Sequence, residues 1–201
     1  MDSEPPDLVG LWPICRLPKI SDFQIGNWKY NHRMQGQDIA ILIKLATGGE
    51  ELPSKALAES LSISPSEVSK AQKRCIDSGL LYISPSRKRV NRSALLEFLS
   101  HGLRYAFPPI RGPLVRGIPT ASAAEPLKSH FSQDGDPPPV WPYAEGNVRG
   151  ISLSPLYKMA PKAALHDPKF YGALALCDAI RIGRTRERNM AIEFLEKQIH
   201  A

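Results

Sequence analysis

Proline placement constrains this chain more than any other feature, because each proline fixes φ and removes a backbone donor. Nineteen prolines occur in 201 residues. Nine of them, Pro108, Pro109, Pro113, Pro119, Pro126, Pro137, Pro138, Pro139 and Pro142, crowd into residues 107–143. That density forbids long helices and favours extended backbone. Pro5, Pro6, Pro13 and Pro18 break up residues 1–33 in the same way. The prolines thus divide the chain into an irregular N-terminal arm (1–33), a helical segment (34–106), a proline-rich extended segment (107–153) and a C-terminal helical region (154–201). Neither irregular segment reads as a solvated linker. The arm carries Leu11, Trp12, Ile14, Phe23, Ile25, Trp28 and Tyr30, and is expected to pack on the body or on a partner subunit. The proline-rich segment carries Ile110, Leu114, Ile118, Val140 and Trp141, and part of it should run extended along a domain surface.

Between the irregular segments the periodicity is helical. Ile39, Leu42, Ile43 and Ala46 line one face of a helix from about Gln35, stopped by Gly48-Gly49. A short helix from Pro53 to Ser60 follows, with Leu57, Ala58 and Leu61 as its apolar stripe. After the tight turn Leu61-Ser62-Ile63, Ser64-Pro65-Ser66-Glu67 has the form of a capping box: Ser64 accepts the Glu67 amide and Glu67 reaches back. Pro65 takes the first helical position, and Gly79 provides a left-handed stop. Leu80–Ile83 reads as a strand, Ser84–Lys88 as a turn and Arg89–Asn91 as a return strand. A helix from Arg92 to Ala106 should face Leu95, Leu96, Leu99 and Leu103 inward. Beyond the prolines, helices are expected from Ser154-Pro155 to Ala164, from Asp167 to Gly183 and from Thr185 to Ile199.

Charge is concentrated within this pattern. The chain is formally +6. Seven cations, Lys70, Lys73, Arg74, Arg87, Lys88, Arg89 and Arg92, face only Glu67 and Asp77 between residues 64 and 92. This segment therefore carries +5 of the total, the electrostatic footprint of a nucleic-acid-binding face. Projected around the third helix, Ser66, Ser69, Lys70, Lys73 and Asp77 share one face, opposite Val68, Ala71 and Cys75. Small hydroxyls at the helix start allow close approach to a major groove. Ser66 and Ser69 suit bases or phosphates, Lys70 suits a guanine edge and Lys73 a phosphate, with Ser64 and Arg74 as further candidate DNA-binding residues of this helix. Arg87, Lys88 and Arg89 at the tip of the turn suit a minor groove or flanking phosphates. The competing readings are a solvated helix face and a hairpin charged against aggregation.

Helix, helix, tight turn, capped helix, strand, basic turn, strand is the winged helix-turn-helix plan. Over about residues 37–91 the sequence resembles MarR-like winged-helix regulators. The resemblance rests on Leu57-Ala58-Glu59-Ser60-Leu61-Ser62-Ile63-Ser64-Pro65-Ser66-Glu67-Val68-Ser69-Lys70-Ala71 and on Ser78-Gly79-Leu80-Leu81. It implies a fold that is mainly α with a small β-wing, here joined to a proline-rich segment and C-terminal helices. It also implies a sequence-specific, double-stranded DNA-binding transcriptional regulator of bacterial type. One such unit reads few base pairs, so a homodimeric repressor on a palindromic site is expected. The apolar run Leu174, Leu176, Cys177 and Ile180, with the N-terminal arm, is the candidate interface. Two other roles use the same fold: an antitoxin or defence-operon autoregulator that holds a second protein, and a replication initiator or nucleoid protein. A pure interaction module without DNA affinity is a further rival.

Other classes find little support. No apolar run approaches membrane-spanning length, and the acidic start Met1–Asp7 lacks a signal-peptide pattern, so a cytoplasmic protein without membrane contact is expected. Cys15, Cys75 and Cys177 form no Cys-x-x-Cys pair; the latter two read as buried thiols. The five histidines show no metal spacing, and neither a nucleophile elbow nor a phosphate loop is present. No catalytic residue, metal or cofactor is expected. Arg181, Arg184, Arg186 and Arg188 form a last basic cluster, read either as salt-bridged to Asp178, Glu187 and Glu193 or as a contact for a partner or nucleic acid.

Overall fold

Five consecutive apolar residues, Ile39-Ala40-Ile41-Leu42-Ile43, make the first helix a central element rather than a surface one. In the computed structural model, which describes residues 33–49, 52–85, 87–131 and 135–200, all five are fully buried in α1 (Gly36–Lys44). A helix that is apolar all round must be covered all round. Here α3 (Pro65–Asp77) covers one side and α7 (Pro168–Ile182) another. The single apolar face expected from the sequence understates this helix. The arm 1–33 lies outside the described residues, apart from Arg33.

After a wider turn at Leu45–Gly49, where Gly48 takes φ +122°, the chain enters α2 (Ser54–Leu61). Ser62, left-handed at φ 53°, turns it into α3. Local chemistry sets both ends of α3. The Ser64 hydroxyl accepts the Glu67 amide at 3.2 Å, Pro65 opens the helix, and Gly79 follows with φ +73°. Strands β1 (Leu81–Ser84) and β2 (Arg87–Val90) form an antiparallel hairpin in which Leu81 faces Val90 and Ser84 faces Arg87. Arg87 and Lys88, expected in the turn, are therefore strand residues. Asn91 caps α4 (Arg92–Glu97), accepting the Ala94 amide at 3.2 Å. The helix continues through a wide turn, Phe98–Gly102, into α5 (Leu103–Ala106). Leu95, Leu99 and Leu103 are buried, and Leu96 is half-buried.

The proline-rich segment is extended, and it is also paired. Strands β3 (Arg111–Pro119), β4 (Pro139–Pro142) and β5 (Val148–Leu153) form a sheet in which each strand bonds to both others. β3 runs antiparallel to β4 and β5, while β4 and β5 are parallel. Prolines sit at both ends of β4 and at the end of β3, where a missing donor is tolerated. Ser154-Pro155 does not start a helix. The Ser154 amide donates to Ile110 O and its hydroxyl accepts the Ile110 amide, which prolongs the β5 pairing. The next helix, α6 (Ala160–Ala164), begins later and is short. Asp167 caps α7 as expected, accepting the Phe170 amide at 3.0 Å, and Gly183 separates α7 from α8 (Thr185–His200).

The molecule is mainly helical, with a two-stranded antiparallel hairpin and a three-stranded sheet. Residues 34–106, 107–153 and 154–201 contribute to one shared core. Leu174, Leu176, Cys177 and Ile180, which suggested a dimer interface, are 0–1% exposed within the chain itself. They present no surface to a second copy. The physical reason is that α7 lies between α1, α5 and α8 and is buried on nearly every side. Among the described residues, no helix is long and apolar enough to cross a membrane.

Candidate nucleic-acid interface

The packing of α3 decides which of its side chains face solvent. Val68, Ala71 and Cys75 point into the core at 0% exposure, while Ser66, Ser69, Lys70, Lys73 and Asp77 are exposed. The division matches the helical projection. The hydroxyls at the helix start are mutually bonded. Ser64 Oγ lies 3.0 Å from Ser66 Oγ, and Ser69 Oγ donates to Pro65 O at 3.1 Å. Their remaining lone pairs and the exposed first turn still face outward. Lys70 pairs with Glu67 at 3.2 Å and Lys73 with Asp77 at 3.4 Å. Exposed pairs of this kind hold at most ~1 kcal/mol and yield readily to a polyanion.

Glu67 does not close the capping box. Its carboxylate accepts Gln37 Nε2 at 2.9 Å and Lys70 Nζ at 3.2 Å. The Gln37 bond, followed by Lys70, holds its pKa below the usual carboxylate value. Glu67 therefore ties the start of α3 to α1 instead of its own N-terminus.

Arg74 is corrected outright. It is 5% exposed and forms a two-pronged ion pair with Asp38, Nε to Oδ2 at 2.7 Å and Nη2 to Oδ1 at 2.6 Å. Asp38 Oδ2 also accepts the Gln35 amide at 2.8 Å. The Asp38 bond raises the Arg74 pKa further, against the opposing effect of burial. Arg74 is thus a bolt between α1 and α3, closed to any phosphate. The pair was not legible because Asp38 lies 36 residues away in the sequence.

The hairpin extends the exposed surface. Arg87, Lys88 and Arg89 are all exposed, and the Lys88 ammonium donates to the buried Gln72 amide of α3. This bond fastens the basic strand to the helix. Two residues that sequence reasoning missed stand on the same hairpin. Tyr82 is 50% exposed opposite Arg89, and Ile83 is 68% exposed opposite Lys88. Both belong to an apolar run that read simply as strand. The available signal was that successive strand residues point to opposite faces, and an isolated two-stranded hairpin is too narrow for both faces to be covered, so consecutive apolar residues toward its tip stay outside the core.

The other candidates separate cleanly. Arg181 is buried against Asp178 at 2.6 Å, so the structural reading holds for it. The Arg184 amide donates to Glu187, and the Arg186 guanidinium sits 5.5 Å from the Phe131 ring centre. Cys75 and Cys177 are buried free thiols, Cys75 pushed up to about 12 by burial. No group of three His, Cys, Asp or Glu side chains gathers to hold a metal ion among the described residues. Comparison of the chain with protein-family models, with curated proteins and with solved structures finds no match in any of the three.

Proposed function

We propose that this chain is a sequence-specific double-stranded DNA-binding protein, a transcriptional regulator acting as a dimeric repressor. In this reading α2, the Ser62 turn and α3 form a helix-turn-helix, and the β1–β2 hairpin is its wing. One observation carries the proposal: a single continuous surface is built from the exposed face of α3 and the basic hairpin, joined through Lys88 and Gln72. Ser66, Ser69 and Lys70 lie on the outward side of the helix start, the end that enters a major groove. Arg87, Lys88 and Arg89 then lie beside it for phosphates or a minor groove. Asp38, Arg74 and Gln72 hold this surface from its buried side, and the half-exposed Glu67 ties its first turn to α1. Dimerisation would use a surface other than the buried α7 run.

Selection of bound duplexes from a random pool tests the reading, because it yields both the preferred site and its symmetry. Lys70→Ala should then change the preferred base at one position per half-site, by the ~1–3 kcal/mol that a base contact carries. A uniform loss of affinity across all duplexes would make Lys70 a phosphate contact. Failure to enrich any sequence would remove the regulator reading.

A further inference from the structure

We propose that Arg116 and Arg149 form a clamp for a phosphate of the nucleic-acid backbone, a contact separate from α3 and the β1–β2 hairpin. The ligand class rests on the DNA-binding reading above; the site rests on sheet geometry. Arg116 of β3 and Arg149 of β5 are register partners in an antiparallel pair. Directly opposite residues project from the same face with Cβ atoms roughly 4.5–5.5 Å apart, and like charges there are destabilising. Both arginines are exposed. Neither has an ion-pair partner among the described residues, and Glu145, a nearby carboxylate in sequence, bonds to neither. They border a shallow recess of about 320 Å³ whose lining includes Leu114 and Asn147.

The ribbon under the pair is rigid. The Tyr143 amide donates to Arg116 O at 3.2 Å. Gly117 and Gly150 follow each arginine, and a Cβ on either would come within 2.0 Å of a carbonyl oxygen, that of Trp141 in β4 and that of Pro138 just before it respectively. The stems of the two arginines are thus held side by side by backbone packing, within reach of a common oxyanion. Repulsion between them turns into attraction when an oxyanion sits between, and the planar fork of arginine matches phosphate oxygens two at a time. The recess fits one such group. A protein partner would instead need a broad patch with a buried apolar centre.

The test measures binding of the full-length chain over a salt series to a mixed-sequence duplex and to duplexes selected from a random pool, for the wild type, Arg116→Ala/Arg149→Ala, Arg149→Glu and Lys70→Ala. Each neutralised phosphate contributes ~0.9 to the slope of log K against log salt, so the double variant, which loses one, should be shallower by about 1 with base preference unchanged. Arg149→Glu should lose affinity while its thermal midpoint rises, since it replaces a repelling cross-strand pair with an attracting one. A purely structural pair would not move the two readouts in opposite directions. An unchanged slope in the double variant, with a wild type that binds, overturns the clamp and leaves the α3 reading standing; an acidic protein then becomes the partner for this face. A shallower slope together with a Lys70→Ala variant that prefers the same selected duplexes as wild type overturns base reading by Lys70 and supports the clamp. A wild type with no salt-dependent duplex binding overturns both.

Discussion

Asp178 shows how much one side chain can organise. Its carboxylate accepts Thr120 Oγ1 at 2.8 Å, Trp141 Nε1 at 2.6 Å and Arg181 Nη1 at 2.6 Å, and it is 1% exposed. Arg181 in turn donates to Phe107 O at 2.8 Å and Ser154 O at 3.1 Å. The end of α5, the turn after β3, strand β4 and the end of β5 are thereby all tied to α7. Burial pushes the Asp178 carboxyl above the usual range, while Arg181, Thr120 and Trp141 pull the other way. Asp178→Ala should cost ~3–5 kcal/mol, because it strands the buried Arg181 charge and two further donors. Urea unfolding of the variant checks this, and a loss below about 1 kcal/mol would mean that the network relaxes without penalty. The spacing of Asp178 and Arg181 already permitted a helical ion pair in the sequence. Its burial did not show there, because it depends on Trp141 arriving from a strand 37 residues away and Thr120 from a turn 58 residues away.

Elements differ in how far their causes are local. The bounds of α3 were legible because a serine cap, a proline at the first position, an apolar stripe and a terminating glycine all lie within sixteen residues of one another. The same locality exposed Ser66, Ser69, Lys70 and Lys73 as a surface, though not the burial of Arg74 or the bond from Lys88 to Gln72. The sheet was legible only as extended chain. Its pairing joins β3 to strands some 20 to 40 residues later, and no local signal specifies such a register. Glycine marked the close contacts but did not say with what. At Gly150 an added Cβ would lie 2.0 Å from Pro138 O and 2.8 Å from Val140 Cγ1, where β5 runs parallel to β4. Gly150→Ala should therefore part the two strands and cost ~1–3 kcal/mol, in the range of overpacked sites. Faster amide exchange confined to β4 and β5 would be its signature; uniform exchange would place the strain elsewhere.

At the scale of the whole molecule, the DNA-binding candidate surface and the C-terminal helices are not separable parts. α1 carries the Asp38 end of the bolt to α3, and its Lys44 pairs with Asp167 at the cap of α7 while lying 5.5 Å from the Phe170 ring centre. Arg92, at the start of α4, donates to the carbonyls of Ala46 and of Ile199 near the end of α8. A cut before residue 154 would sever the ties of Lys44 to Asp167 and Phe170 and of Arg92 to Ile199. It would also strip Phe170, Leu174, Leu176, Ile180, Leu195 and Ile199 from the core. At ~1.5–3 kcal/mol for each large apolar side chain, the loss is roughly 10 kcal/mol or more, comparable to the ~5–15 kcal/mol net stability of a domain. The fragment lacking 154–201 should not fold, and its thermal melt should show no cooperative transition. A cooperative melt from that fragment would mean that residues 34–106 carry a sufficient core of their own, despite the burial of α1 against α7. Dimerisation is for this reason better probed by surface substitution than by truncation. Exposed Tyr105 and Ile110, 77% and 72% accessible, can be changed to serine and aspartate without touching the shared core, and sedimentation of such variants reads the oligomeric state of an intact fold.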